Sequence, residues 1–214
     1  MIYTGISIGM IEIGLYMLIS SFILCSNKNL RKMDLVSYFW STMTVLTGIW
    51  EFFYIYNYDK IVDYSNNLLV NKEHVWTNNY SLSHILPNEL SSIFYAEYGA
   101  YADREYMTLK NDWSRIIEST HALFCGLFSL LALYNKTKGN NKNFNICFSI
   151  SMGSQLMNSI LYMSNYLIEV HNPTNINFNT TEFPCGLFLL KRPFMYVNLF
   201  WLFMPLYSIF SLLV

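Results

Sequence analysis

The chain has 214 residues, of which 53% are hydrophobic and only 13% charged, with a formal net charge of −1. So few charges cannot cover the surface of a soluble domain of this size, and the near-neutral balance leaves no basic stripe with interleaved aromatics of the kind that binds nucleic acid. The composition is that of an all-α integral membrane protein: runs such as Leu15-Tyr16-Met17-Leu18-Ile19 are continuously apolar, whereas lipid-facing barrel strands alternate.

Five apolar runs, at about 6–25, 36–56, 113–134, 144–168 and 194–214, approach or exceed the roughly 20 residues a helix needs to cross the hydrocarbon, and they predict a five-transmembrane-helix bundle. The first run has no positive flank ahead of it and no compact cleavage region, so it is expected to stay as a span rather than leave as a signal peptide. Lys28, Arg31 and Lys32 follow it, and Lys136, Lys138 and Lys142 lie between the third and fourth runs. Basic loops stay in the cytosol, which places the N-terminus in the lumen and the C-terminus in the cytosol. The long 57–112 segment between the second and third spans is then luminal, and it holds about twice as many acids as bases. Within it, Pro87-Asn88-Glu89 reads as a helix start and predicts a short interfacial helix near 88–100, able to lid a cavity, with an ordinary surface connector as the alternative. Lys191 and Arg192, also luminal in this topology, run against the charge rule.

The sequons at Asn79 and Asn179 face the lumen and the one at Asn135 does not, and all three also read as chance matches in an asparagine-rich chain. Cys25, Cys125, Cys147 and Cys185 form no disulfide or zinc pattern. No repeat, glycine-rich phosphate loop or low-complexity linker divides residues 1–214, which read as one membrane domain.

Two acids stand out. Glu51 lies inside an apolar run that holds no lysine or arginine, and Glu118 lies inside another, where an ionisable group normally faces a bundle interior and marks a working site. At 1.5 Å per residue each falls roughly 7–8 Å below the luminal interface, and Glu12, Tyr162, Asn198 and Trp201 fall within a turn of that level. For Glu12 a frayed helix start, for Tyr162 an interfacial belt and for Asn198 interhelical glue are competing readings. His121 sits one turn beyond Glu118, positioned to bond or relay to its carboxyl, or to be a satisfied buried histidine. Glu118-Ser-Thr-His121 has the spacing of a di-iron ligand pair, but no second such motif exists to complete a metal site. Aromatics, 18% of the chain, crowd the luminal ends of the spans. Those that face a dry cavity would stabilise a carbocation there.

The order of these features resembles the emopamil-binding protein family, sterol Δ8–Δ7 isomerases of the endoplasmic reticulum that share the EXPERA membrane domain with sigma-2-receptor-like proteins. The likeness covers about 40–214. It rests on Trp50-Glu51-Phe52-Phe53 with Tyr54 and Tyr58, on Glu97-Tyr98 and Ala102-Asp103-Arg104-Glu105-Tyr106, and on Glu118-Ser-Thr, Leu161-Tyr162 and Asn198-Leu-Phe-Trp201 with Pro205. The resemblance implies Glu51 and Glu118 as an acid–base pair, Asn198 as orienter and Trp201 as cation stabiliser. Trp50, Thr47, Tyr54, Asp103, Tyr106 and Tyr162 are expected around the substrate. The family's histidine one turn before its first glutamate falls here on Thr47, and His121 stands in for it from the opposite helix. The expected activity is a cofactor-independent double-bond shift in a sterol or related polycyclic lipid, with membrane lipids as surroundings, a homodimer compatible with the sequence, and neither metal nor nucleic acid as partner. A non-catalytic sterol- or amine-binding EXPERA protein, and an isomerase or cyclase of a non-sterol terpenoid, are the alternatives.

Overall fold

The computed structural model describes residues 2–102, 116, 119–171 and 195–212, without the side chains of 165–171 and 195. Among them are seven α-helices and two three-residue strands: β1 (Ile2–Thr4), α1 (Gly5–Ser26), α2 (Leu35–Tyr56), α3 (Tyr58–Asn71), β2 (Asn79–Ser81), α4 (Pro87–Tyr101), α5 (Ser119–Thr137), α6 (Asn141–His171) and α7 (Met195–Phe210). The chain is mostly helical, and each of the five apolar runs carries a helix. Only α1 is long and apolar enough among the described residues to pass as a membrane-crossing helix on length and hydropathy; Tyr196–Phe210 is apolar but shorter. The other long helices carry polar residues that are buried, among them Ser41, Thr44, Ser129, Ser151 and Gln155.

Local chemistry sets the helix ends. Thr4 caps α1 by accepting from the Ser7 N–H (3.3 Å), and Asp34 caps α2 by accepting from the Ser37 N–H (2.8 Å). Pro87 opens α4, where its missing N–H costs nothing. Lys72 ends α3 in the left-handed region (φ 56°), and Gly139 (φ 73°) turns the chain between α5 and α6.

α2, α5, α6 and α7 pack side by side, and their seams are built from small and hydroxyl residues. A Cβ added at Gly126 would lie 3.1 Å from the Gly48 Cα and the Thr44 carbonyl, so α2 and α5 touch backbone to backbone. Ser129 and Ser151 share a hydrogen bond (2.8 Å) across α5 and α6, and the Ser159 hydroxyl donates to the Trp201 carbonyl (2.7 Å) across α6 and α7. The outward faces are apolar: Leu127, Leu130, Ile146, Phe200 and Phe203 are each at least half exposed. α1 lies at the edge, tied to α2 by the Tyr16 hydroxyl on the Phe39 carbonyl (2.6 Å) and the Tyr38 hydroxyl on the Ser20 carbonyl (2.7 Å).

The 57–102 segment folds over one end. α3 and α4 bury Leu68, Leu90, Ile93 and Ala96 between them, and α4 packs on α2 through Tyr54 and Tyr95. β1 pairs antiparallel with β2, Tyr3 opposite Tyr80, which fastens the N-terminus to this cap. The fastening continues through Gly5, whose N–H donates to the Asn78 carbonyl (3.1 Å) and whose Cα has no room for a side chain, since a Cβ would lie 2.0 Å from the Val75 carbonyl oxygen. At the opposite end the two basic loops meet: the Asn27 and Asn29 amides both donate to the Thr137 carbonyl (3.4 and 3.2 Å).

Candidate active site

Beside the cap, α2, α4, α5, α6 and α7 line a partly open cavity of about 370 Å³, within the range of small-molecule sites. Its wall collects residues distant in sequence. α2 supplies Thr44, Thr47, Trp50 and Glu51, α4 supplies Tyr95 and Tyr98, and α5 supplies His121 and Cys125. Gln155 and Tyr162 come from α6, Asn198 and Trp201 from α7.

Glu51 is 8% exposed, and the Tyr95 hydroxyl donates to its Oε1 at 2.5 Å. Burial, reinforced by the Glu51 carboxyl beside it, holds the Tyr95 phenol well above its ordinary pKa, so it stays protonated and is the donor of this bond. A second polar group lies on the same wall, where the Tyr98 and Tyr162 hydroxyls share a hydrogen bond (2.9 Å) and the Asn198 amide donates to Tyr98 (3.4 Å). The Trp40 indole N–H donates to Gln155 Oε1 (2.7 Å), and its ring lies 4.8 Å from that of Trp201, so Trp40 backs the Trp201 ring that lines the cavity. Trp50 packs edge-on against Phe94 at 5.7 Å, and its buried N–H has no hydrogen-bond partner among the described residues.

His121 is held by Ser154, with Nε2 at 3.1 Å from the carbonyl and 2.9 Å from Oγ. A carbonyl only accepts, so Nε2 carries the proton and Nδ1 is left as the basic nitrogen. Thr47 lines the cavity, but its hydroxyl donates back to the Met43 and Thr44 carbonyls of its own helix (3.1 Å each). It therefore offers the cavity a methyl group and an acceptor, not a proton relay.

Seven of the residues expected at the site from the sequence share this wall: Thr47, Trp50, Glu51, His121, Tyr162, Asn198 and Trp201. Tyr54, expected at the substrate, is instead fully buried behind it, its ring 5.7 Å from Tyr58 and 4.9 Å from Tyr95. It supports Tyr95 and is not part of the cavity wall. Glu12, at a similar depth by counting, is half-buried on α1 and is not part of that wall either. Glu118, Asp103 and Tyr106 lie outside the described residues, as do the sequon at Asn179, Cys185, Lys191 and Arg192.

Sequence reasoning missed Tyr95 and Gln155. Gln155 is the chain's single glutamine, set within an apolar run, and that isolation was a usable signal. Tyr95 and Tyr98 are three apart on one helical face, yet nothing local connects them to Glu51, 44 residues earlier. Among the described residues no three His, Cys, Asp or Glu side chains gather closely enough to hold a metal ion. In comparison with known proteins, the chain matches no family model, no curated protein and no solved structure.

Proposed function

We propose that the chain is an intramembrane isomerase that shifts a double bond in a sterol or related polycyclic lipid. In this reading α1, α2, α5, α6 and α7 are five spans of the endoplasmic reticulum membrane and the α3–α4 segment is a luminal cap. Inverted packing supports the bundle. Its seams are Gly, Ser and Thr while its outward faces are Leu, Ile and Phe, the distribution favoured where lipid rather than water surrounds the helices. The meeting of the two basic loops at one end, with the N-terminus strapped to the cap at the other, supports the orientation.

The chemistry follows from the cavity. Glu51 in its acid form gives a proton to one alkene carbon, whose π electrons form the new C–H bond, and the neighbouring carbon becomes cationic. The Trp201 ring on the cavity wall faces that charge. A base then takes a proton from the next carbon, and the released electron pair closes the new double bond. His121 Nδ1 suits that role, and the resemblance assigns Glu118 as the second acid. Asn198, bonded to Tyr98, orients the ligand.

One observation carries this reading: Glu51, His121, Tyr162 and Trp201, from four different helices, line a single cavity. Expression in a yeast strain lacking its sterol isomerase tests it. Restored Δ7-sterol, lost again with Glu51→Gln, is the expected outcome, and a well-expressed chain that forms no Δ7-sterol would count against the sterol version. A second reading, a non-catalytic binder of sterols or amphipathic amines, is favoured by Thr47, whose hydroxyl is committed to its own helix. Tight amine binding without product from any sterol would establish it in place of the first.

A further inference from the structure

The hydrogen bond from Tyr95 to Glu51 Oε1 joins the cap to the bundle at the most buried acid of the cavity wall. A protonated carboxyl has one oxygen that bears hydrogen and one that only accepts. With Tyr95 donating to Oε1, the acceptor role is taken there and the acid proton belongs to Oε2.

Resting on the isomerase reading above, we propose that Tyr95 is a positioning residue that makes Oε2 of Glu51 the oxygen that protonates the substrate and stabilises the carboxylate left behind. When Glu51 has given its proton to the alkene, the group facing Tyr95 is no longer a neutral carbonyl oxygen but an anion. The bond then becomes charge-assisted and about twice as strong as a neutral one. An interaction that strengthens only as charge develops lowers the barrier without tightening substrate binding. When the base returns the substrate's proton to Glu51, the bond reverts to its neutral form and the site is reset.

Three features fit Tyr95 to this task. Its ring is held by Tyr54 at 4.9 Å, so the hydroxyl does not wander. It stays protonated where it lies, as shown above. It also stands on α4, a cap helix whose serine hydroxyl, Ser91, donates to the Trp50 carbonyl one residue before Glu51 (3.1 Å), so donor and acceptor are registered twice. The luminal segment is thereby part of the working machinery and not only a lid.

The test combines kinetics and infrared spectroscopy on the full chain in lipid nanodiscs. Tyr95→Phe, which removes one oxygen and keeps the ring, should lower kcat about tenfold to a hundredfold and leave KM within about twofold. The wild-type minus Glu51→Gln difference spectrum should show a hydrogen-bonded carboxyl band, which shifts to the position of an unbonded carboxyl in Tyr95→Phe. Unchanged kcat in Tyr95→Phe, or equal losses in kcat and affinity, would overturn the proposal. So would an unbonded Glu51 band in the wild-type protein, a result that needs no Tyr95 variant to fold. Absence of turnover in wild-type protein with the bonded band present would instead refute the isomerase reading while leaving the Tyr95–Glu51 bond established.

Discussion

α1 and α2 are each 22 residues long and lie side by side, yet they relate to their surroundings in opposite ways. α1 buries only Gly5, Ile8 and Ser20 and turns Met10, Leu18 and Phe22 outward. α2 buries Ser37, Ser41, Thr44, Gly48 and Glu51, the polar and small residues that a hydropathy measure penalises. The more apolar helix is therefore the peripheral one, and the helix that reads less clearly as a span carries the site. Hydropathy reports what faces outward, whereas the cavity wall lies where a helix lowers its own hydropathy to make contacts.

The contrast is sharpest in the two glutamates. Glu51→Gln should reduce turnover about a hundredfold to ten-thousandfold, the usual share of a general acid, while Glu12→Gln on α1 should leave it within about twofold, both read as Δ7-sterol formed per unit of protein. Equal losses in both variants would dissolve the distinction between edge helix and working helix.

Glycines offer the next comparison, in stability. Gly126→Leu forces a side chain against the Gly48 Cα and should cost about 1–3 kcal/mol or more through overpacking. Gly14→Leu on α1, where a new Cβ meets nothing within 4 Å, should change stability by less than about 0.5 kcal/mol. Thermal unfolding in one detergent reads both.

A smaller effect is expected where the two helices meet. Tyr38→Phe removes the donor to the buried Ser20 carbonyl and should cost about 1 kcal/mol by the same measurement. The smallest concerns pH at the N-terminal end of α2. Burial alone would raise the Asp34 carboxyl, but hydrogen bonds from the Ser37 N–H and hydroxyl and from Tyr207 outweigh it and hold Asp34 below its ordinary value. Its contribution is therefore fully present above the ordinary carboxylate pKa and is lost as pH falls through the lower folded value. Asp34→Asn should flatten the acid limb of the stability profile slightly, and an unchanged limb would show the cap to be electrostatically idle.

Much of the fold was legible because apolar runs and breakers are local signals. The first two runs, at about 6–25 and 36–56, became Gly5–Ser26 and Leu35–Tyr56, and the short helix read near 88–100 became Pro87–Tyr101. α3 was passed over, although Tyr58, Ile61, Ser65 and Leu68 recur at helical spacing along one buried face. Its overall polarity made the stretch look like connector. The β1–β2 pair left no local trace at all, since three-residue strands pair across more than 70 residues of chain. The site divides in the same way. Glu51 announces itself as an acid in an apolar run, but that Tyr95 bonds it and that Tyr54 stands behind Tyr95 depend on how α4 lands on α2, which no spacing within either helix encodes.

The most direct measurement is isotopic. Purified protein incubated with a Δ8-sterol in D2O should yield Δ7-sterol carrying one deuterium at the ring carbon that Glu51 protonates, with no product from Glu51→Gln. Product lacking deuterium there, or product formed equally well by Glu51→Gln, would contradict the assignment of Glu51 as the cavity's acid.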